Sequence, residues 1–146
     1  MTGDLSDHVW LIEPEYDTLG HLVSHLQRAA QTLVSPDLLE IEVHGLDTER
    51  SLAMEPRRHV YMMTKEALRN AVRHSGASTI RLRIVASKDA LRIEVIDNGN
   101  GFPAGRGATG KLLHTLPRRA RAVGANLEIE SSEGQGATIR ITLHLT

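Results

Sequence analysis

Two adjacent segments alternate in a way that few folds accept. Ile80, Leu82 and Ile84 alternate with Arg81, Arg83 and Val85. After Ser87-Lys88-Asp89, Leu91, Ile93 and Val95 alternate with Arg92, Glu94 and Ile96. Successive strand side chains point to opposite faces, so the pattern reads as a β-hairpin with one apolar and one largely polar face. A sheet of that kind packs one side on helices and leaves the other wet.

The other periodicities supply the helical layer. Leu19, Leu22, Val23, Leu26, Ala29, Ala30 and Leu33 recur at helical spacing between Asp17 and Val34, with Asp17 or Thr18 as the cap and Ser35-Pro36-Asp37 as the stop. Leu39, Ile41 and Val43 alternate with Glu40, Glu42 and His44 as a half-buried strand, and Gly45 to Glu55 reads as a polar loop. A second helix is predicted from about Pro56 to His74, with Val60, Met63, Ala67 and Ala71 toward the core and Gly76 as a left-handed cap. A third is predicted from about Leu112 to Val123, where Pro117 kinks it or delays its start. Leu127 and Ile129 form a short strand, Glu133 to Gly136 a turn, and Ile139, Ile141, Leu143 and Leu145 a last strand. The expected fold is an α/β (α+β) two-layer sandwich, with a mixed, mostly antiparallel sheet and helices on one face.

Bulk properties narrow the function classes. A chain of 146 residues is most simply one domain with a real core. A net charge of −1 argues against nucleic acid and against direct contact with an anionic membrane. The absence of cysteine excludes disulfides and thiolate metal sites and fits a reducing cytoplasm. No apolar run approaches the roughly 20 residues that span a bilayer. With one Phe, two Tyr and one Trp, stacking on a nucleobase can play little part.

Two segments then carry chemistry. On the second helix Glu66 and Asn70 are four apart and share a face, with Arg73 and His74 one turn further. Asn70 offers a neutral carbonyl oxygen of the hard type that Mg²⁺ accepts beside waters and phosphates. Glu66 can orient or deprotonate a nucleophile next to such a metal, and Arg73 and His74 can reach phosphate oxygens. Asp97 ends an apolar strand, where a carboxylate would accept from an exocyclic amine such as that of adenine. Gly99 and Gly101 permit positive φ and close approach of backbone to ligand. Five glycines between Gly99 and Gly110 predict a mobile loop. Each segment alone has a plainer reading: a solvated helix face, and an ordinary Asp-Asn-Gly turn.

Taken together, the segments resemble the GHKL ATPase superfamily. Lys65-Glu66-Ala67-Leu68-Arg69-Asn70-Ala71-Val72-Arg73-His74 resembles its N box, Asp97-Asn98-Gly99-Asn100-Gly101-Phe102 its Asp-x-Gly-x-Gly box, and Gly134-Gln135-Gly136-Ala137-Thr138 its later glycine-threonine segment. The helix wording is most similar to sensor histidine kinases related to the nitrate and lipid-fluidity sensors. Trp10 to Leu19 resembles the join between dimerisation and catalytic domains in such kinases. The resemblance implies a tail of dimerisation or linker segment over 1–16 and one ATP-binding domain of Bergerat fold over 17–146.

It also implies roles. Asn70 would coordinate Mg²⁺ on the phosphates, Glu66 would stand near the reacting phosphate, and Arg73 and His74 would contact phosphates. Asp97 would bind the adenine amine, Gly99 and Gly101 would let the lid close, and Thr138 would support the adenine end. Gly110 stands for one glycine of the family's second glycine box, but Lys111 occupies the usual place of a leucine. Lys111 either meets a phosphate or is simply solvated. None of the eight histidines has the context of a phosphoacceptor. The implied protein is a cytoplasmic histidine kinase domain, and the resemblance allows a membrane-anchored parent. It would bind Mg-ATP and donate the γ-phosphate to a histidine on a dimerisation domain outside this chain, with a response regulator downstream. The isolated chain is expected to bind ATP without phosphorylating itself. The alternatives are an anti-sigma-factor-type serine kinase and a degenerate nucleotide-binding module without turnover.

Overall fold

The computed structural model describes residues 18–45, 47, 49–74, 76–101, 111–132 and 134–145, without the side chains of residues 74 and 111–113. The described elements run α1 (Leu19–Leu33), β1 (Leu39–His44), α2 (Met54–His74), β2 (Ile80–Ala86), β3 (Ala90–Asp97), α3 (Lys111–Val123), β4 (Asn126–Ser132) and β5 (Gly136–His144).

The helix ends follow their local chemistry. Thr18 is the α1 cap, its hydroxyl accepting the His21 N–H at 3.3 Å, and the Leu19 N–H donates to the Arg50 carbonyl at 2.7 Å. Helix α2 begins at Met54, two residues before the predicted Pro56. Its first turn closes with the Arg57 N–H on the Ala53 carbonyl at 3.1 Å, so Pro56 sits where a missing N–H costs nothing. Gly76, at φ +62°, follows its end as anticipated. Pro117 lies inside α3 and neither ends the helix nor delays its start. Leu116 and Ala120, both buried, seat that stretch in the core.

The sheet has five strands in the order β1-β2-β3-β5-β4. Strands β1 and β2 are parallel, joined by α2 as the crossover, and the other pairs are antiparallel. The hairpin register sets Leu82 opposite Val95 and Ile84 opposite Ile93, so their side chains share one face. That face meets Leu22 and Leu26 of α1 and Met63 and Leu68 of α2 in one core. Fully burying each such side chain contributes about 2 kcal/mol.

The opposite face carries a ladder of charge. Glu40 on β1 meets Arg81 on β2 at 3.3 Å, and Arg83 meets Glu94 on β3 at 2.9 Å. Arg140 on β5 meets Glu94 at 2.7 Å and Glu128 on β4 at 3.2 Å. Glu94 was expected on a wet face, yet it is 5% exposed, covered by the two arginines that bind it. This is the arrangement in which a buried carboxylate survives, because its charge is paired and hydrogen-bonded.

Candidate functional site

The site forms at one end of the sheet, where β3 stops and β2 starts. Ile80 opens β2 opposite Asp97, and only the connection 75–79 separates Ile80 from the end of α2. The C-terminal end of α2 and the last residue of β3 therefore meet at the same edge. Helix α2 packs on β3 and α3 with Val60, Met63, Ala67, Leu68 and Ala71 buried. Glu66 and Asn70 flank that stripe half-buried, and Arg73 is exposed. Spacing of four and then three residues sets them along one side of the helix.

Asp97 is buried, 7% exposed. Its Oδ1 accepts the Gly99 N–H at 2.9 Å, which folds Asp97-Asn98-Gly99 into a tight turn. Burial pushes the Asp97 carboxyl above the ordinary carboxylate range, and hydrogen bonds from the Gly99 and Ala137 amides only partly offset this. A carboxyl group perturbed in this way at a strand end is a candidate functional group, with acceptor capacity beyond these two amides.

Close backbone approach builds the walls of this corner. Gly101 has φ +70°, and a Cβ there would run onto the Ser132 carbonyl and the Ser131 hydroxyl. Gly136 has φ +99°, and a Cβ there would run onto the Asp97 carbonyl oxygen. The Gly134 amide donates to the Asn100 carbonyl oxygen, joining the β4–β5 turn to the segment after β3. A polar groove of about 230 Å³ at these strand ends is lined by residues of β3, β4 and β5, among them Ile96, Asp97, Glu130, Ser131 and Thr138, and, among the described residues, by none of α2.

The structure does not bring every expected residue together. The β3–β5 register sets Ala137 opposite Asp97 and Thr138 opposite Ile96. Side chains alternate across a strand, so Thr138 stands with Ile96 and Glu130 on the face away from the helices while Asp97 faces them, and the two meet only in lining the groove at the strand ends. Gly110 lies outside the described residues, as does the glycine-rich stretch 102–110. The side chains of His74 and Lys111 also lie outside them, and Lys111 is placed only as the first residue of α3. Among the described residues no group of three or more His, Asp or Glu could hold a metal ion. A single Asn70 oxygen still matches the donor set of Mg²⁺, which keeps waters and takes most other ligands from phosphate. Sequence reasoning passed over Asn98 and Asn100, whose enrichment in turns was the available signal.

Comparison with known proteins identifies the fold and the family. A family model described as histidine kinase-, DNA gyrase B- and HSP90-like ATPase matches residues 55–146. Sensor histidine kinase LiaS of Bacillus subtilis (strain 168) is 35% identical over 104 residues, covering 70% of this chain and 28% of that protein. Sensor histidine kinase ComP of the same organism is 28% identical over 127 residues, covering 82% and 16% respectively. The chain thus spans less than a third of the length of these two relatives. The histidine kinase domain of a blue-light activated histidine kinase from Erythrobacter litoralis EL346 superposes with a TM-score of 0.67 at 20% identity. The match covers 86% of this chain and 60% of that one. Fold and sequence agree, and the chain belongs to the histidine kinase-, DNA gyrase B- and HSP90-like ATPase family.

Proposed function

We propose that this domain binds Mg-ATP across the corner between α2 and the end of β3. We further propose that it donates the γ-phosphate to a histidine on a dimerisation domain outside the chain, with a response regulator downstream. The observation that carries this is Asp97. Its buried carboxylate already accepts the Gly99 and Ala137 N–H groups and keeps acceptor capacity for one further donor, which an adenine amine would supply. Asn70, half-buried on the adjoining helix end, offers the oxygen a phosphate-bound Mg²⁺ takes. Arg73, exposed one turn on, reaches phosphate oxygens. On the sequence resemblance, His74 and Lys111 would meet the same phosphates, and Gly99 and Gly101 would let the lid close.

Bound Mg²⁺ would neutralise phosphate charge and orient the chain of phosphates. The protein's own task is positioning. Phosphoryl transfer breaks the bond between the γ-phosphorus and its bridging oxygen and forms one to an imidazole nitrogen, which requires the two to be in line. Glu66, beside Asn70, would hold the incoming imidazole in the right orientation and accept its proton.

Calorimetric titration with ATP, with and without Mg²⁺, tests the reading. Binding in the micromolar to millimolar range corresponds to about −4 to −8 kcal/mol. Asp97→Asn is expected to weaken it at least about tenfold, since the amide presents its own donors to the adenine amine. Unchanged affinity in Asp97→Asn sinks the adenine assignment. Incubation with labelled ATP and a dimerisation domain tests the transfer. An acid-labile phosphate marks histidine, and an acid-stable one would favour the serine-kinase alternative.

A further inference from the structure

The turn after β3 is tied to the connection between α2 and β2 by the side chain of Asn98. Asn98 Oδ1 accepts the backbone N–H groups of Ser78 at 3.0 Å and Thr79 at 2.9 Å, and Asn98 Nδ2 donates to Ser78 Oγ at 2.9 Å. The Asn98 amide also donates to the Thr79 carbonyl at 3.3 Å. These bonds carry the β2–β3 pairing past Ile80 and Asp97, its last strand partners. Ser78 and Thr79 leave the Gly76 turn at the end of α2, and the last five residues of α2 include Asn70 and Arg73. Asn98, next to the base-side acid, is thus linked to the chain that leaves the phosphate-side helix.

An asparagine suits this place physically. Its carbonyl takes two successive backbone N–H groups, and its amide satisfies a hydroxyl on the same segment. An alanine would leave both N–H groups to water and remove the side-chain part of the tie to Ser78 and Thr79. Asn98 is exposed, and the side-chain bonds described for it go to Ser78 and Thr79 rather than toward the site.

We infer that Asn98 is a positioning residue that sets the separation between Asp97 and the Asn70–Arg73 end of α2, so that one nucleotide engages both together. This rests on the ATP reading above. A ligand with only the base needs the Asp97 end alone. A ligand with base and phosphates needs both ends at the correct spacing, and a misplacement of an ångström at one of them erodes the gain. Loss of Asn98 therefore discriminates between the two ligands, which a general loss of stability does not.

The experiment compares adenosine and Mg-ATP affinities in wild type, Asn98→Ala and Ser78→Ala, by competition at a temperature where circular dichroism shows each protein folded. In Asn98→Ala the adenosine affinity is expected to stay within about twofold, while Mg-ATP weakens by about tenfold or more. Equal weakening of both ligands, or no change in either, overturns the inference. Ser78→Ala removes only the bond from Nδ2 and keeps the fold if Asn98→Ala does not. It is expected to shift the ATP-to-adenosine ratio the same way by about twofold, and an unchanged ratio overturns the inference. A wild-type protein that binds neither ligand refutes the ATP reading itself, a separate outcome.

Discussion

Glu94 Oε2 accepts a hydrogen bond from Arg140 Nε at 2.7 Å across the β3–β5 ladder, on the sheet face opposite the helices. Burial raises the Glu94 pKa, but the Arg140 and Arg83 guanidinium groups outweigh burial and the net direction is down. Glu94→Ala is expected to cost about 2 kcal/mol, because two arginines lose a shared, shielded partner. A double-mutant cycle with Arg140→Ala in urea should return a coupling of about 1 kcal/mol; additive losses would show that the pair is only a surface contact. Since folding depresses the pKa, this stabilisation is full above the ordinary glutamate value of about 4.3 and fades as pH falls through the lower folded value.

Asp97 has the opposite sign. Its folded pKa is raised, so its ionisation opposes folding at neutral pH, and the protonated form is favoured only as pH drops past the folded value toward the unfolded value of about 3.9. Asp97→Asn is expected to melt no lower than wild type at pH 7 while losing nucleotide affinity. A thermal scan checks the first part, and a fall of more than about 5 °C would mean that the carboxylate is structural.

Two neighbouring glycines should differ sharply. Gly134→Ala meets open space at φ +81° and is expected to cost about 1 kcal/mol of left-handed strain. Gly136→Ala drives its methyl onto the Asp97 carbonyl as well, so the β3–β5 ladder must part there. Chemical denaturation should show a loss of at least about 3 kcal/mol or no folded protein; equal costs at the two positions would refute this account of the corner.

Metal dependence separates the helix residues. Asn70→Ala is expected to leave ATP affinity measured in chelator unchanged and to abolish the increment that Mg²⁺ adds. Glu66→Gln is expected to keep both affinities and slow transfer to a supplied dimerisation domain by about 100-fold. Loss of affinity in chelator for Asn70→Ala would place that side chain on the nucleotide rather than on the metal.

Periodicity made the hairpin, the helices and the polar outer face legible, because each depends on neighbours close in the chain. Three features were not. The insertion of β5 between β3 and β4 depends on pairings such as Ile93 with Ile141, which no local pattern encodes. The sheet face that Thr138 takes follows from its register opposite Ile96, and a slip of one residue in a strand would turn it to the other face. Asn98 acts through Ser78 and Thr79, some 20 positions earlier, so its turn-forming character was visible but its partners were not.

The place of β5 in the sheet bears on how the chain matures at the ribosome. Residues 136–144 emerge after every other described element, yet they fill the slot beside β3. Until they arrive, β3 presents Leu91, Ile93 and Val95 along an unpaired rim that other chains can join. The corner at Asp97 is complete only with β5 in place, because Ala137 of that strand supplies one of the amides on its carboxylate.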